Sequence, residues 1–267
     1  MRAISWVAVN VFKESVRDRV PYNLALFAVL LIAASYLIGQ LTAGQDLKII
    51  KDLGLAAIAI FGLLIAVFIG IGLVSKEVER KSVYGLLSKP ISRPQFILGK
   101  FAGLMLTLVV NISAMTVAFY AVLFYMKRSN PLLELAASAP ALDPRLLLAI
   151  GLILAELMVV TAVALFFSTF SSALLATMLT LGLWVAGHFN ADLRNFEHVI
   201  DNAAVAWIAR VLYYALPNLA PFDVKAEVVH GFPVSIRHVG LTVTYAVIYT
   251  GLVLTAAVAV FRRRDFK

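Results

Sequence analysis

The sequence predicts an all-α membrane protein with six transmembrane helices, and three observations predict it. The chain of 267 residues is 62% hydrophobic and only 14% charged, where a soluble domain averages about 45–50% and about 25%. Its apolar residues gather into runs on the scale of the roughly 20 residues that a helix needs to cross a bilayer. Its Lys and Arg concentrate in alternate flanks of those runs, as the positive-inside rule requires. A mean hydropathy of +0.93 agrees. So few charges cannot wet the surface of a soluble enzyme, and a disordered regulator is excluded with it. There is no cysteine, hence no disulfide frame, thiolate metal site or thiol nucleophile. The net charge of +8 reads as cytoplasmic flanks of a membrane protein, not as a nucleic-acid surface.

Taken in order, residues 1–19 are too charged to cross. Ile4, Val7, Ala8, Val11 and Phe12 share one helical face, and Asn10, Lys13, Glu14 and Arg17 another. With Trp6 as an interfacial aromatic, this is an amphipathic helix expected to lie on the inner leaflet; a plain membrane anchor is the alternative. It does not read as a cleaved signal peptide, whose apolar region is about 7–15 residues long. Spans are expected at 21–41, 53–74, 97–126, 146–167, 173–190 and 239–261, all within a single transmembrane domain covering 1–267. The fourth and fifth come from one run, 146–191, whose 46 residues hold a single charge, Glu156. As one helix it would reach roughly 69 Å, so the polar cluster Ser168-Thr169-Phe170-Ser171-Ser172 is expected to break it.

The segment between the second and third spans carries more than a connection needs. Glu77, Glu79, Arg80 and Lys81 open it with both charge signs. Val83, Leu86 and Leu87 give an apolar edge beside Tyr84, and Pro90 stops any helix. A short cytoplasmic helix over 75–92 is therefore expected, suited to docking on another protein; a solvated loop is the alternative. Ser92 and Gln95 then form a capping box with Pro94 in the first turn. A helix from Ser92 to Met126 would be about 52 Å long and would project beyond a hydrocarbon core of about 30 Å. On the other side, 190–238 is the longest non-spanning piece. It holds a possible helix at 199–216 with Trp207, Tyr213 and Tyr214, then the turn Pro217-Asn218-Leu219-Ala220-Pro221-Phe222-Asp223. These are expected to lie on or dip into the outer leaflet, or simply to cap the bundle.

Six crossings place both termini on one side. That side holds 14 basic residues in 57 positions, against 9 in 79 opposite, so both termini are expected in the cytoplasm.

Chemistry is sparse. Glu156, the only formal charge deep in a span, must face protein or water, pair with a donor, or be protonated. It is either a translocation-path residue or one end of an interhelical hydrogen bond, with Asn111, Ser113 and Thr116 as expected partners. His188, His198, His230 and His238 lack the tight spacing of a zinc site. Met105, Met115 and Met126 read as gap-filling core. Gly99-x-x-x-Gly103 matches the close-packing motif. No Gly-x-x-x-x-Gly-Lys-Ser/Thr occurs, and no nucleophile elbow or His-Glu-x-x-His. No nucleotide site is legible, so ATP-driven work would draw its energy from a partner. A self-sufficient proton-coupled carrier or intramembrane enzyme using Glu156 is the alternative. Such carriers usually show paired ionisable groups and repeated halves, and one intramembrane carboxylate with no internal repeat is what this chain offers.

The stretch Leu87-Ser88-Lys89-Pro90-Ile91-Ser92-Arg93-Pro94-Gln95-Phe96-Ile97-Leu98-Gly99-Lys100, after Lys76-Glu77-Val78-Glu79, resembles the cytoplasmic loop of ABC-2 type transporter permeases. The amphipathic N-terminus, the 167–172 turn, Leu216-Pro217-Asn218-Leu219 before Phe222-Asp223, and the tail Phe261-Arg262-Arg263-Arg264-Asp265-Phe266 fit the same family. The nearest branch is the permeases of multi-copper-enzyme maturation, including nitrous-oxide-reductase maturation. The resemblance implies a type V exporter-like fold with an N-terminal elbow helix, in the cytoplasmic membrane of a bacterium or archaeon. It implies a homo- or heterodimer around a central pathway, working with two copies of a separate ABC ATPase that binds the ATP and magnesium. This chain would itself hold no cofactor and no metal, and do no catalysis. Residues 76–90 would be the coupling helix, with Glu77, Glu79, Arg80 and Lys81 making polar contacts and Tyr84 and Leu87 wedged into the ATPase groove. Ser88, Lys89, Pro90 and Arg93 complete that loop. The elbow residues Trp6, Phe12, Lys13 and Arg17 would touch the same subunit. Membrane lipid and a periplasmic accessory protein complete the implied partners.

Overall fold

The computed structural model describes residues 2–40, 46–79, 92–129, 139–190, 207, 213 and 216–263. Among these residues the fold is entirely helical: α1 Arg2–Arg17, α2 Arg19–Gln40, α3 Asp46–Glu79, α4 Arg93–Ser129, α5 Arg145–Ser168, α6 Ala173–His188, a 3₁₀ turn Ala220–Phe222, α7 Lys225–Val229 and α8 Ile236–Arg263. Five of them are long and apolar enough to cross a membrane, and α6 is a shorter apolar helix. The expected helix at 199–216 falls outside the described residues, save Trp207 and Tyr213.

Two helices form the centre. In the spans of α3 and α5, 67% of the most apolar window is buried, against 22% in α2 and α8. α5 packs against α3, α4, α6, α7, α8 and the 3₁₀ turn. The outer helices show apolar faces, with Leu26, Phe27 and Leu30 on α2 and Leu241, Val247 and Leu252 on α8 all more than half exposed. Apolar faces of that extent are stable against lipid rather than water.

Glycines permit the central packing. A Cβ added at Gly54 of α3 would clash with Phe119 Cε2 of α4, and one at Gly62 would lie 2.6 Å from Leu157 Cδ1 of α5. Close backbone approach is what holds helices together where lipid supplies no hydrophobic drive.

Several hydroxyl groups within the spans are satisfied locally. Thr107, Thr161 and Thr180 each donate to the carbonyl four residues earlier, at 3.1, 2.6 and 2.7 Å. The same chemistry ends α5. Ser168, Thr169 and Ser171 donate to the carbonyls of Leu165, Phe166 and Phe167, each at 2.7 Å. Three last-turn acceptors are thus occupied, and the chain turns into α6 at the polar cluster where the break was expected.

α3 differs from expectation at both ends. It begins at Asp46, not at 53, and runs unbroken past 74 to Glu79. Lys51 looked like a flank but is 1% exposed. Its ammonium donates to the Pro140 carbonyl at 2.8 Å and to that of Ala139 at 3.4 Å. A charge satisfied by distant carbonyls does not end a span. At the other end, the expected separate helix over 75–92 starts as a continuation of α3, and residues 80–91 lie outside the described residues.

α1 and α2 are parted by one residue. Asp18 Oδ1 accepts from the Val20 amide at 3.2 Å, an N-cap contact for α2. At the start of α4, Gln95 Oε1 accepts from the Ser92 amide at 3.1 Å, one half of the predicted capping box.

Candidate functional site

Two regions bring functional side chains together. The first lies at the end of the bundle that carries α1, the start of α4 and the close of α8. The buried face of α1 is the predicted one, with Val7 and Val11 in the core, but what covers it is α4 and not lipid alone. A Cβ at Gly99 would lie 2.5 Å from Val7 Cβ, and one at Gly103 would lie 2.6 Å from Val11 Cβ and 2.7 Å from the Ala8 carbonyl. Both contacts advance by four residues on each helix. α1 therefore runs alongside α4 in the same direction, seated on the Gly-x-x-x-Gly track. Trp6 on the opposite face is 67% exposed. Phe12, Lys13 and Arg17, with Asn10, Glu14 and Val16, line an open hollow of about 600 Å³.

Arg93 ties this end together. Its guanidinium donates to the carbonyl of Phe261 at 3.2 Å and to that of Arg262 at 2.6 Å. Phe96 stacks on Phe261, centroids 5.9 Å apart, and the Lys100 ammonium sits 4.9 Å from the Phe96 ring centre. Of the other expected loop residues, Glu77 and Glu79 fall in the last turn of α3, and nothing further is described of their side chains. Arg80, Lys81, Tyr84, Leu87, Ser88, Lys89 and Pro90 lie outside the described residues.

The second region is at mid-depth. Glu156 is 11 residues past Arg145 on α5, so about 16 Å along the helix from that end. Its bond is interhelical, but its partner is not on α4. Asn111 donates to the Thr107 carbonyl at 2.8 Å and Thr116 to that of Ile112 at 2.7 Å, both within their own helix, and Ser113 is exposed. Glu156 Oε1 instead accepts from Trp184 Nε1 of α6 at 2.6 Å. His188 Nε2 lies 3.6 Å from the same oxygen. The His188 and Trp184 rings are 4.7 Å apart, and His188 Nδ1 is 3.0 Å from the Trp184 carbonyl.

This meeting is set by the length of α6. Its 16 residues rise only about 24 Å, short of a hydrocarbon core of about 30 Å. Residues 216–223 fill the remainder. Leu219 and Phe222 are buried against Val159 and Ala246, beside Trp184, Tyr245 and Tyr249. Non-helical backbone at such a depth must be satisfied by protein, and four groups of this segment are held by side chains or by the end of α6. The Leu219 amide donates to the Gly187 carbonyl at 2.9 Å, and that of Asn218 to Tyr245 Oη at 2.9 Å. The Leu216 carbonyl accepts from Asn190 Nδ2 at 3.1 Å and that of Pro221 from His238 Nε2 at 2.9 Å. Gly187 is required here, since a Cβ would lie 2.9 Å from the Pro217 carbonyl. Beyond it Lys225 pairs with Asp223 at 3.4 Å, and both act electrostatically on Glu156 and on Asp52 of α3, which His230 also faces.

Sequence reasoning missed Trp184 and His188 as the partners of Glu156. Their i, i+4 spacing on one face of α6 was legible; the 28 residues separating Trp184 from Glu156 gave no local signal. Among the described residues no group of three His, Cys, Asp or Glu could hold a metal ion.

No curated protein matches the chain. A family model for the ABC-2 family transporter protein matches residues 5–266. That match spans nearly the whole chain, and the five apolar helices of spanning length agree with it: the protein is a multi-pass membrane permease belonging to the ABC-2 transporter family.

Proposed function

We propose that this chain is the membrane subunit of an ABC exporter of the cytoplasmic membrane of a bacterium or archaeon. It dimerises around a central pathway and is driven by two copies of a separate ABC ATPase. The observation that carries the reading is the family match over residues 5–266. The end bearing α1, Arg93 and the close of α8 faces the cytoplasm, in line with its density of Lys and Arg. The segment 76–90 is the coupling helix, seated in the ATPase with Glu77, Glu79, Arg80, Lys81, Tyr84 and Leu87 in contact. The hollow beside α1, lined by Phe12, Lys13 and Arg17, offers a second contact to the same subunit. Within the family, the multi-copper-enzyme-maturation branch is the nearest resemblance, carried by the loop sequence 87–100.

ATP-driven closure of the ATPase pair would move the loop and α1 together, because the loop leads directly into Arg93 at the start of α4 and α1 packs along that helix. The test is co-purification with the cognate ATPase and assay of its hydrolysis. E79R or Y84A should abolish the stimulation of hydrolysis by cargo while the bundle elutes unchanged. Equal ATPase binding by a variant lacking residues 76–89 refutes the docking assignment.

A further inference from the structure

We infer that Glu156 and His188 together bind one exchangeable proton at membrane depth, and that this proton holds the end of α6 and the 216–223 segment against α5. The geometry of this pair is independent of any ATPase. A carbonyl oxygen can only accept, so the contact of His188 Nδ1 with the Trp184 carbonyl at 3.0 Å places a hydrogen on Nδ1. The other nitrogen, Nε2, faces Glu156 Oε1 at 3.6 Å. In a neutral ring with that tautomer Nε2 is an acceptor, and an ionised carboxylate is an acceptor too. Two lone pairs would then face each other away from water, where such a mismatch is most costly. One added proton removes it. On Nε2 it makes an imidazolium–carboxylate pair; on Glu156 it makes two neutral groups that can share a hydrogen bond. Either way the pair carries no net charge, which suits a site in the membrane.

Among the described residues no other partner does this. Trp184 Nε1 donates to Oε1 at 2.6 Å but gives up no proton. Lys225 and Asp223 both act on Glu156, yet they are paired with each other at 3.4 Å and offset one another. From α8, Tyr245 and Tyr249 pack beside Trp184, and the Tyr245 hydroxyl accepts from the Asn218 amide. From α3, Asp52 addresses His230, Lys225 and Asp223. From α4, Asn111 and Thr116 are engaged within their own helix. His188 is the more accessible end of the pair, its side chain 22% exposed against 7% for Glu156. The link to the irregular segment is one residue away, where Gly187 accepts from the Leu219 amide. Losing the proton sets acceptor against acceptor at the end of α6 and loosens the seat of Leu219.

The test uses the full-length protein in lipid nanodiscs with W6F and W207F, which leaves Trp184 as the single tryptophan of the three. Its emission is followed from about pH 5 to about pH 9, the range that brackets imidazole titration. The emission should follow a one-proton curve, and E156Q or H188Q added to this background should each flatten it. A flat response in the parent, or a transition that survives in either variant, overturns the inference. Should a variant fail to fold, ¹⁵N-histidine NMR decides on the chain carrying H198Q, H230Q and H238Q, where His188 alone reports. Nδ1 should stay protonated throughout, with the second proton on Nε2 or in a carboxylic-acid infrared band. A ring with bare Nδ1, or a neutral ring beside an ionised carboxylate at every pH, overturns it.

Discussion

Replacing Gly103 with leucine should undock α1. An added Cβ there meets Val11 Cβ at 2.6 Å and the Ala8 carbonyl at 2.7 Å, where ordinary contact begins at 3.4 Å. The second of these atoms is backbone, so no rotamer change relieves it, and α1 must move by about 1 Å before the rest of the leucine is placed. Overpacking of this kind costs about 1–3 kcal/mol. At about 2 kcal/mol, the undocked fraction of α1 rises about 30-fold. The chain has no cysteine, so V7C supplies a single thiol at a site 8% exposed in the α1–α4 seam. Maleimide labelling of that thiol reports local opening when reclosing is fast. G103L should accelerate it about 30-fold by the same arithmetic. G151L is the matched control, because nothing lies within 4 Å of a Cβ at Gly151, and it should leave the rate unchanged. Labelling of V7C at the parental rate in G103L, or an equal acceleration in G151L, refutes the reasoning.

Three further outcomes are expected. G54A should destabilise the bundle by about 1–3 kcal/mol of overpacking, read as a lower melting temperature in detergent, and F119L should restore part of the loss by vacating the ring the new methyl meets. K51M should destabilise by about 1–3 kcal/mol per carbonyl left without its donor at Ala139 and Pro140, measured as the same melting shift; no shift would mean water replaces the ammonium. R93A removes two charge-assisted bonds to Phe261 and Arg262, each worth about 1.5–3 kcal/mol. Trypsin should then release the C-terminal tail faster than in the parent, with the bundle otherwise intact.

What the sequence made legible is what depends on neighbours along the chain. The apolar face of α1, the break at 168–172 and the Ser92–Gln95 cap rest on residues within four positions of each other, and the structure contains all three. What it hid depends on contacts across the fold. Lys51 looked like the edge of a span because a lysine without its partner is too costly to bury, and its partners are 88 and 89 residues away. Asn111 looked suited to Glu156 by type, yet an asparagine amide can turn to its own helix, and it does. The depth of 216–223 was hidden for a related reason: a proline-rich turn reads as surface unless the shortness of α6 leaves it a vacancy to fill.

The bond from Arg93 to the last carbonyls of α8 joins the first turn of α4 to the final helix, 168 residues further on. A displacement of that turn would therefore be passed to two remote pillars of the bundle at once, through the one clasp they share.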